Sequence, residues 1–254
     1  MTPAGERTLF ISDLHLDESR PGIVSQFERF LASVAPGADA LYILGDLFEY
    51  WVGDDALALP FNARVAAQLK AASARVPIRF MHGNRDFVAA AGFSAGTGAD
   101  LIGDPTEIDL YGTRTLLLHG DTLCTDDTAY QAFRKQVRDP RWLAAALARP
   151  IAERIAIAQD LRMKSEGAKQ GKAMAIMDVA PAAVEHAFRE SGCTLMIHGH
   201  THRPARHVHL VDGTERIRWV LADWYERASY LEATPAGVRP VEMGSGINGD
   251  SLKN

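Results

Sequence analysis

The sequence predicts an α/β sandwich with mixed sheets, on three observations. Five short apolar runs, "TLFISD", "ALYILGD", "IRFMHGN", "TLLLHGD" and "TLMIHGHTH", each stop at a polar or glycine-containing cluster, the length and bounded character of buried strands. Helix-like stretches separate them at Gln26–Val34, Asn62–Ala74 and Pro181–Ser191. Hairpin patterns dominate later. Taken in order, the first three runs alternate with helical segments, as in a parallel sheet. "IDLYGTRTLLLHG" then turns near Tyr111–Gly112. "HVHLVDG" and "ERIRWVLADW" form another antiparallel pair, followed by "ASYLEATPAG".

One segment differs. Residues 122–180 show no strand pattern and read mostly as helix, an insertion in what is otherwise one domain spanning 1–254. From Gln131 to Lys172 there are ten Lys/Arg against four Asp/Glu, a local +6 in a chain of net charge −5. Leu143, Leu147, Ile151 and Ile155 recur every fourth residue, as on one helix face. Pro140 suits a helix start, and Pro150 kinks or divides that helix. The segment reads as a helical lid with an apolar side and a basic side, suited to a substrate carrying both acyl chains and phosphates. A local core under a solvated basic face is the competing reading.

Composition excludes several classes. The 254 residues are 47% hydrophobic and 23% charged, ordinary for a globular protein. A net charge of −5 argues against a nucleic-acid partner. Cys124 and Cys193 lack C-x-x-C spacing, which suits a reducing compartment. No signal-peptide pattern opens the chain, and no apolar run approaches the roughly 18 residues of a membrane span. The expected location is therefore cytoplasmic. The amphipathic basic lid suggests peripheral contact with the cytoplasmic face of an inner membrane. A monomer is the default expectation.

Chemistry-bearing residues gather where the apolar runs end. Asp13 and His15 stand two apart after the first run, and alternate strand residues share a face, so both can aim at one point. Asp46, Asn84, His119, His200 and His202 follow the other runs. Ligands in open α/β sheets collect beyond the carboxyl ends of strands. The donors are carboxylate, imidazole and one carboxamide, with no thiolate. That set suits Mn²⁺, Fe²⁺ or Zn²⁺ and is too rich in histidine for Ca²⁺. Seven donors exceed the needs of one small ion, whereas two ions bridged by a carboxylate would use them all. His82 and His198 lie inside apolar runs and read as packed histidines. His186, His207 and His209 read as surface residues. Asp86 and Asp121 are expected to orient neighbours by hydrogen bonds. Asp54 and Asp55 read as a solvated turn.

The blocks Asp13-Leu14-His15, Gly45-Asp46, Gly83-Asn84-Arg85-Asp86, His119 and Gly199-His200-Thr201-His202 resemble the calcineurin-like metallophosphoesterases in order and spacing. The resemblance implies a β-sandwich flanked by helices. It places Asp13, His15 and His202 on one metal and Asn84, His119 and His200 on the other, with Asp46 bridging. Two departures narrow the likeness. Arg85 stands where many members have histidine, and "GDLFEYWVGDD" lacks the Asp-Arg-Gly turn of the protein phosphatases. With "HGNRDF", "LLLHGDTLCTDD", "HGHTHRP" and "MKSEGAKQGKAMAIMDV", the text resembles the UDP-2,3-diacylglucosamine pyrophosphatase family of bacterial lipid A synthesis, up to the last dozen residues.

That resemblance implies hydrolysis of the UDP-lipid diphosphate to UMP and 2,3-diacylglucosamine 1-phosphate, with two Mn²⁺ ions as cofactors. It implies substrate contacts by Asn84, Arg85, Asp127, Ser165, Lys169, Lys172 and His200. Catalysis is expected to fall on Asp46, Asn84, Arg85 and His119. A sugar 1-phosphate is a weakly basic leaving group that needs charge stabilisation more than a proton, which accounts for arginine in place of histidine at 85. A soluble nucleotide phosphoesterase is the alternative enzyme, and a scaffold of the same fold without activity is the alternative class. The seven donors disfavour the scaffold.

Overall fold

A computed structural model describes residues 6–170 and 178–244, with side chains for 6–164 and 178–244. The chain opens with β1 (Thr8–Ile11), α1 (Pro21–Ser33), β2 (Ala40–Leu44), α2 (Pro60–Ser73), β3 (Ile78–Met81), α3 (Ala91–Thr97) and β4 (Asp100–Ile102). The hairpin β5 (Thr106–Leu110) and β6 (Thr113–Leu118) comes next. Then come α4 (Thr128–Val137), α5 (Pro140–Leu147), α6 (Ile151–Gln170) and α7 (Pro181–Ser191), and finally β7 (Leu195–His198), β8 (Ala205–Val211), β9 (Thr214–Val220), β10 (Ser229–Thr234) and β11 (Gly237–Glu242). One sheet has the order β11-β10-β1-β2-β3-β4 and the other β5-β6-β7-β9-β8.

Strand parity builds the layers. Leu9 and Ile11 of β1 face α1 and α2, joining Phe27, Phe30, Val65 and Leu69 in one core. Phe10, between them, faces the other sheet and meets Leu44, Met81, Leu117 and Ile197. Beyond that sheet, Leu116, Leu118 and Met196 pack on Val184 and Phe188 of α7. The order is helix, sheet, sheet, helix. Burial of both faces is why the central strands read as continuous apolar runs.

Local chemistry sets the element ends. Pro21, Pro60, Pro140 and Pro181 open α1, α2, α5 and α7, where a missing N–H costs nothing. The first two helices therefore begin before the spans predicted from periodicity alone. Tyr111 and Gly112 have φ of 54° and 84°, and Asp212 and Gly213 have 51° and 76°. Both pairs close tight hairpins of the kind matched to strand twist, at the predicted places.

Among the described residues, the predicted helical insertion contains three helices, α5 starting at Pro140 and the chain dividing at Pro150 as expected. The α5 helix ends at Leu147, and the carbonyl of Pro150 accepts from Glu153 and Arg154 to start α6. The break separates Leu143 and Leu147 from Ile151 and Ile155, so the fourfold row is not one helix face. No described helix is long and apolar enough to cross a membrane.

Candidate metal centre and adjoining cavity

The donors are held on unusual backbone. Asp13, His15, Asp46, His200 and His202 have φ of 56°, 48°, 53°, 69° and 54°. Asp and His tolerate the left-handed region better than most residues, but each such position is strained by about 1–3 kcal/mol unless its surroundings enforce it. Here they do. The N–H groups of Asp13, His15 and Leu16 donate to the carbonyls of Gly45, Asp46 and Leu47 at 3.1, 2.9 and 2.8 Å, and Leu14 and Leu16 are buried anchors. The expectation that strand pleating aims Asp13 and His15 is corrected. Strand β1 ends at Ile11, and left-handed turns do the aiming.

A second support lies beneath Asp46. The buried Asp86 carboxylate accepts from the N–H groups of Gly83, Leu47 and Asp46, at 2.8, 2.8 and 3.3 Å. Asp46 Oδ1 accepts from the Arg85 N–H at 2.8 Å. A Cβ on Gly83 would collide with Asp46 Oδ1, so only glycine lets the two loops approach. Asp86 thus orients the rim, as does Asp121, whose carboxylate accepts from Tyr130 Oη and Arg134 Nε at 2.7 Å each.

All seven predicted donors meet. His15 Nε2 and His202 Nε2 lie 3.3 Å apart, and His202 Nε2 is 3.4 Å from Asp13 Oδ1. Asn84 Oδ1 lies 3.0 Å from His119 Nε2 and 2.9 Å from His200 Nδ1. Asp46 stands between these groups, with Oδ2 3.9 Å from His15 Nε2 and Oδ1 3.8 Å from His119 Nε2. Among the described residues, Asp13, His15 and His202 form one group able to hold an ion, and Asp13, Asp46 and His119 another. Outer contacts orient the rings: His119 Nδ1 lies 2.9 Å from the Leu44 carbonyl, and His202 Nδ1 3.4 Å from Asp223.

These residues fit divalent ions. Asp13 Oδ1, which faces the cluster, is buried with no hydrogen-bond partner among the described residues, a costly arrangement for a purely structural cluster. Burial raises the Asp46 carboxyl to about 7, with Asp86 and Asp13 adding to the rise against His119 and Arg85. For His119, burial acts downward, but Asp46, Asp121 and Asp13 outweigh it and lift the ring to about 9. Burial, aided by His119, lowers His200 to about 3. For Asp13, burial acts upward and is overcome by His202, His119 and His15, leaving the carboxyl well below its usual range. Cations bound at these groups would compete with protons for them.

His82 Nε2 lies 2.7 Å from the Ala89 carbonyl, and the buried His198 lies between Gly199 O and Arg218, at 2.8 and 2.9 Å. Both sit outside the donor groups.

Against this cluster lies a cavity of about 550 Å³. Asn84, Arg85, His200 and His202 form its polar end. Trp51, Phe87, Phe133, Trp142, Ile157 and Leu161 contribute its apolar wall. The α6 residues facing it are Arg154, Ile157, Ala158, Leu161, Arg162 and Lys164, a 3.6-residue stripe that is apolar at 157, 158 and 161. Of the predicted row, Leu147 alone lines the cavity, while Leu143, Ile151 and Ile155 do not. Asp127 also lines it and caps α4, accepting from the Tyr130 N–H at 3.0 Å. Ser165 and Lys169 fall on the last turns of α6, and Lys172 lies outside the described residues.

Asp54 and Asp55 are not a free solvated turn. Asp54 accepts from Trp51 Nε1 and the Ala90 N–H, both at 3.1 Å. Asp55 pairs with Arg154, which also donates to the Val52 carbonyl. Arg154, Arg162, Glu49, Tyr130 and Tyr225 carry no motif and escaped the sequence reading. The eight-residue spacing of Arg154 and Arg162 on one helix was the available signal.

Residues 6–204 match the family model described as calcineurin-like phosphoesterase. The chain belongs to that family. The match covers every predicted donor of this phosphoesterase. Three curated relatives are UDP-2,3-diacylglucosamine hydrolases. One, from Xanthomonas campestris pv. campestris (strain B100), is 49% identical over 238 residues, 91% of this chain and 96% of its own length. Another, from Xanthomonas axonopodis pv. citri (strain 306), is 50% identical over 237 residues with the same coverage. The third, from Aromatoleum aromaticum (strain DSM 19018 / LMG 30748 / EbN1), is 52% identical over 230 residues, 90% of this phosphoesterase and 94% of its own length.

Proposed function

We propose that this chain hydrolyses the diphosphate bond of UDP-2,3-diacylglucosamine, releasing UMP and 2,3-diacylglucosamine 1-phosphate in lipid A biosynthesis. The carrying observation is the direct contact between the donor cluster and a largely apolar cavity, joined at Asn84, Arg85 and His200. A lipid-linked sugar diphosphate needs both, with its phosphates at the first and its acyl chains in the second. The named activity of the relatives supports the same reading.

The residues divide the work. Asp13, His15 and His202 would hold one divalent ion, and Asn84, His119 and His200 the other, with Asp46 placed between the two groups. The ions supply Lewis acidity toward water and phosphoryl oxygen. Four imidazoles favour a transition metal, and Mn²⁺ is our assignment. Arg85 offers charge to the leaving phosphate. The apolar stripe of α6, with Trp142 and Phe133, excludes water from the acyl end. Asp127, Ser165, Lys169 and Lys172 are assigned to the substrate on family resemblance. In this reading residues 122–180 are a lid within one domain. Exposed Phe133, Leu147 and Met163 beside basic side chains would rest on the cytoplasmic face of the inner membrane.

A substrate panel tests the proposal: UDP-2,3-diacylglucosamine, a CDP-lipid, a cyclic nucleotide and a generic phosphodiester, with products identified by mass. UMP and the lipid phosphate should appear at a kcat/KM at least ~10²-fold above the others, the discrimination expected of a site built around both ends of its substrate. Preference for the cyclic nucleotide would replace this reading with the soluble nucleotide phosphoesterase.

A further inference from the structure

Glu49 presents an anomaly. It lines the cavity that receives an anionic substrate in the reading above, yet it is an acid and 3% exposed. A buried carboxylate persists only if paired, and its partners are informative. Arg162 of α6 reaches Oε1 with Nε at 2.5 Å, and Arg20, before α1, reaches Oε2 with Nη1 at 3.2 Å. Arg20 does not line the cavity. Its guanidinium lies 4.8 Å from the centre of the Tyr225 ring, which stacks on His15. Arg20 therefore backs the carboxylate from outside, while Arg162 and Arg85 share the cavity wall with it.

Arg85 completes the arrangement. Its N–H is tied to Asp46, and its carbonyl accepts from Trp51 at 2.8 Å. Its side-chain Nε is buried without a hydrogen-bond partner among the described residues, a donor awaiting an acceptor. Burial raises the Glu49 carboxyl, and Arg85, Arg162 and Arg20 act against that rise. On the cavity wall, two guanidiniums against one carboxylate leave about +1, with Arg20 adding charge from behind. Asn84 and His200 line the same cavity.

We propose that Glu49 is a positioning residue. Its carboxylate holds Arg162 on the wall shared with Arg85, at the boundary between the metal centre and the apolar cavity, where the two guanidiniums receive the phosphomonoester of a sugar 1-phosphate. An acid in that place opposes anion binding by its charge and favours it by fixing two flexible cations. The inference rests on the proposed function for the lipid but needs only a sugar phosphate for its test.

The experiment uses the metal-loaded full chain and its Glu49→Gln and Glu49→Asp variants. Hydrolysis of bis(p-nitrophenyl) phosphate reports the metal centre alone, and glucose 1-phosphate serves as inhibitor. In Glu49→Gln, metal content should hold within twofold, and diester turnover should fall less than turnover of the UDP-lipid. Inhibition by glucose 1-phosphate should weaken about tenfold, the scale of one well-aimed charge-assisted hydrogen bond. With the UDP-lipid, kcat/KM should fall on the order of 10–100-fold, the scale of a small misplacement, and Glu49→Asp should recover part of it. Tighter inhibition in Glu49→Gln would make Glu49 a mere countercharge and overturn the proposal. So would unchanged inhibition, absence of inhibition in the unmutated chain, or diester turnover falling in step. An unmutated chain inert on the UDP-lipid but inhibited by glucose 1-phosphate would reject the functional reading while leaving the Glu49 outcomes decisive.

Discussion

His15 and His202 turn their Nε2 atoms toward each other at 3.3 Å, with Asp13 Oδ1 3.4 Å from the second. Two imidazoles and a carboxylate converging this closely require a proton or a cation between them. The expected outcome is that chelation abolishes turnover and lowers the melting temperature, and that Mn²⁺ restores both better than Mg²⁺. Calorimetry of stripped and reloaded protein checks it. Identical melting curves would mean that the cluster is held by protons alone.

Asp46 lies between the two donor groups, so its loss should affect both. Asp46→Ala should lower kcat by at least ~10³, in the range of large electrostatic contributions to catalysis. His82→Gln should stay within a few-fold, because among the described residues its ring nitrogen meets the nearby Ala89 carbonyl rather than the donor cluster. Comparable losses at both positions would mean that the donors are wrongly assigned.

His198 predicts a pH dependence. Burial first, then the Arg218 charge, lowers it from 6.5 to about 3. The unfolded chain therefore binds a proton between pH 6.5 and 3 that the folded chain refuses. Stability should fall as pH drops through that window, by about 1.4 kcal/mol per unit for this one group. In His198→Gln the slope of unfolding free energy against pH should be shallower by that amount. Denaturant titrations at several pH values measure it, and an unchanged slope would show that His198 titrates normally.

Arg154 ties α6 to the loop after β2. Its guanidinium is 7% exposed and satisfies the Val52 and Arg149 carbonyls as well as Asp55. Asp55 itself is mostly exposed, so the ion pair adds little and the buried bond to the Val52 carbonyl matters more. Arg154→Ala should cost about 1–3 kcal/mol. UDP-lipid turnover should fall further than hydrolysis of a generic diester. Equal falls would place α6 in the general fold rather than over the substrate.

The acyl-binding face is a separate prediction. Leu161 lines the cavity and Leu143 does not. Leu161→Gln should raise KM for the diacyl substrate several-fold and spare the generic diester, while Leu143→Gln should leave both near normal. The reverse ranking would restore the row read from spacing.

That row shows where sequence reading ends. Runs such as "TLFISD" and the turns at Tyr111–Gly112 and Asp212–Gly213 are local, so periodicity and turn chemistry reveal them. The seven donors were legible because each closes such a run and the blocks match a family pattern. The four-residue row failed because Pro150 starts a new helix and resets the angular phase. The left-handed backbone at Asp13 and His15 depends on carbonyls some thirty residues away. The pairing of Glu49 with Arg162 joins segments more than a hundred residues apart. Nothing local encodes either contact.

The most direct measurement is a titration of metal-free protein with Mn²⁺, following UMP release from UDP-2,3-diacylglucosamine at each step. Activity should rise from background and reach its plateau at two ions per chain, with elemental analysis giving the same number. Full release of UMP by protein shown to contain no metal, or a plateau at a single ion, would contradict the two-ion account.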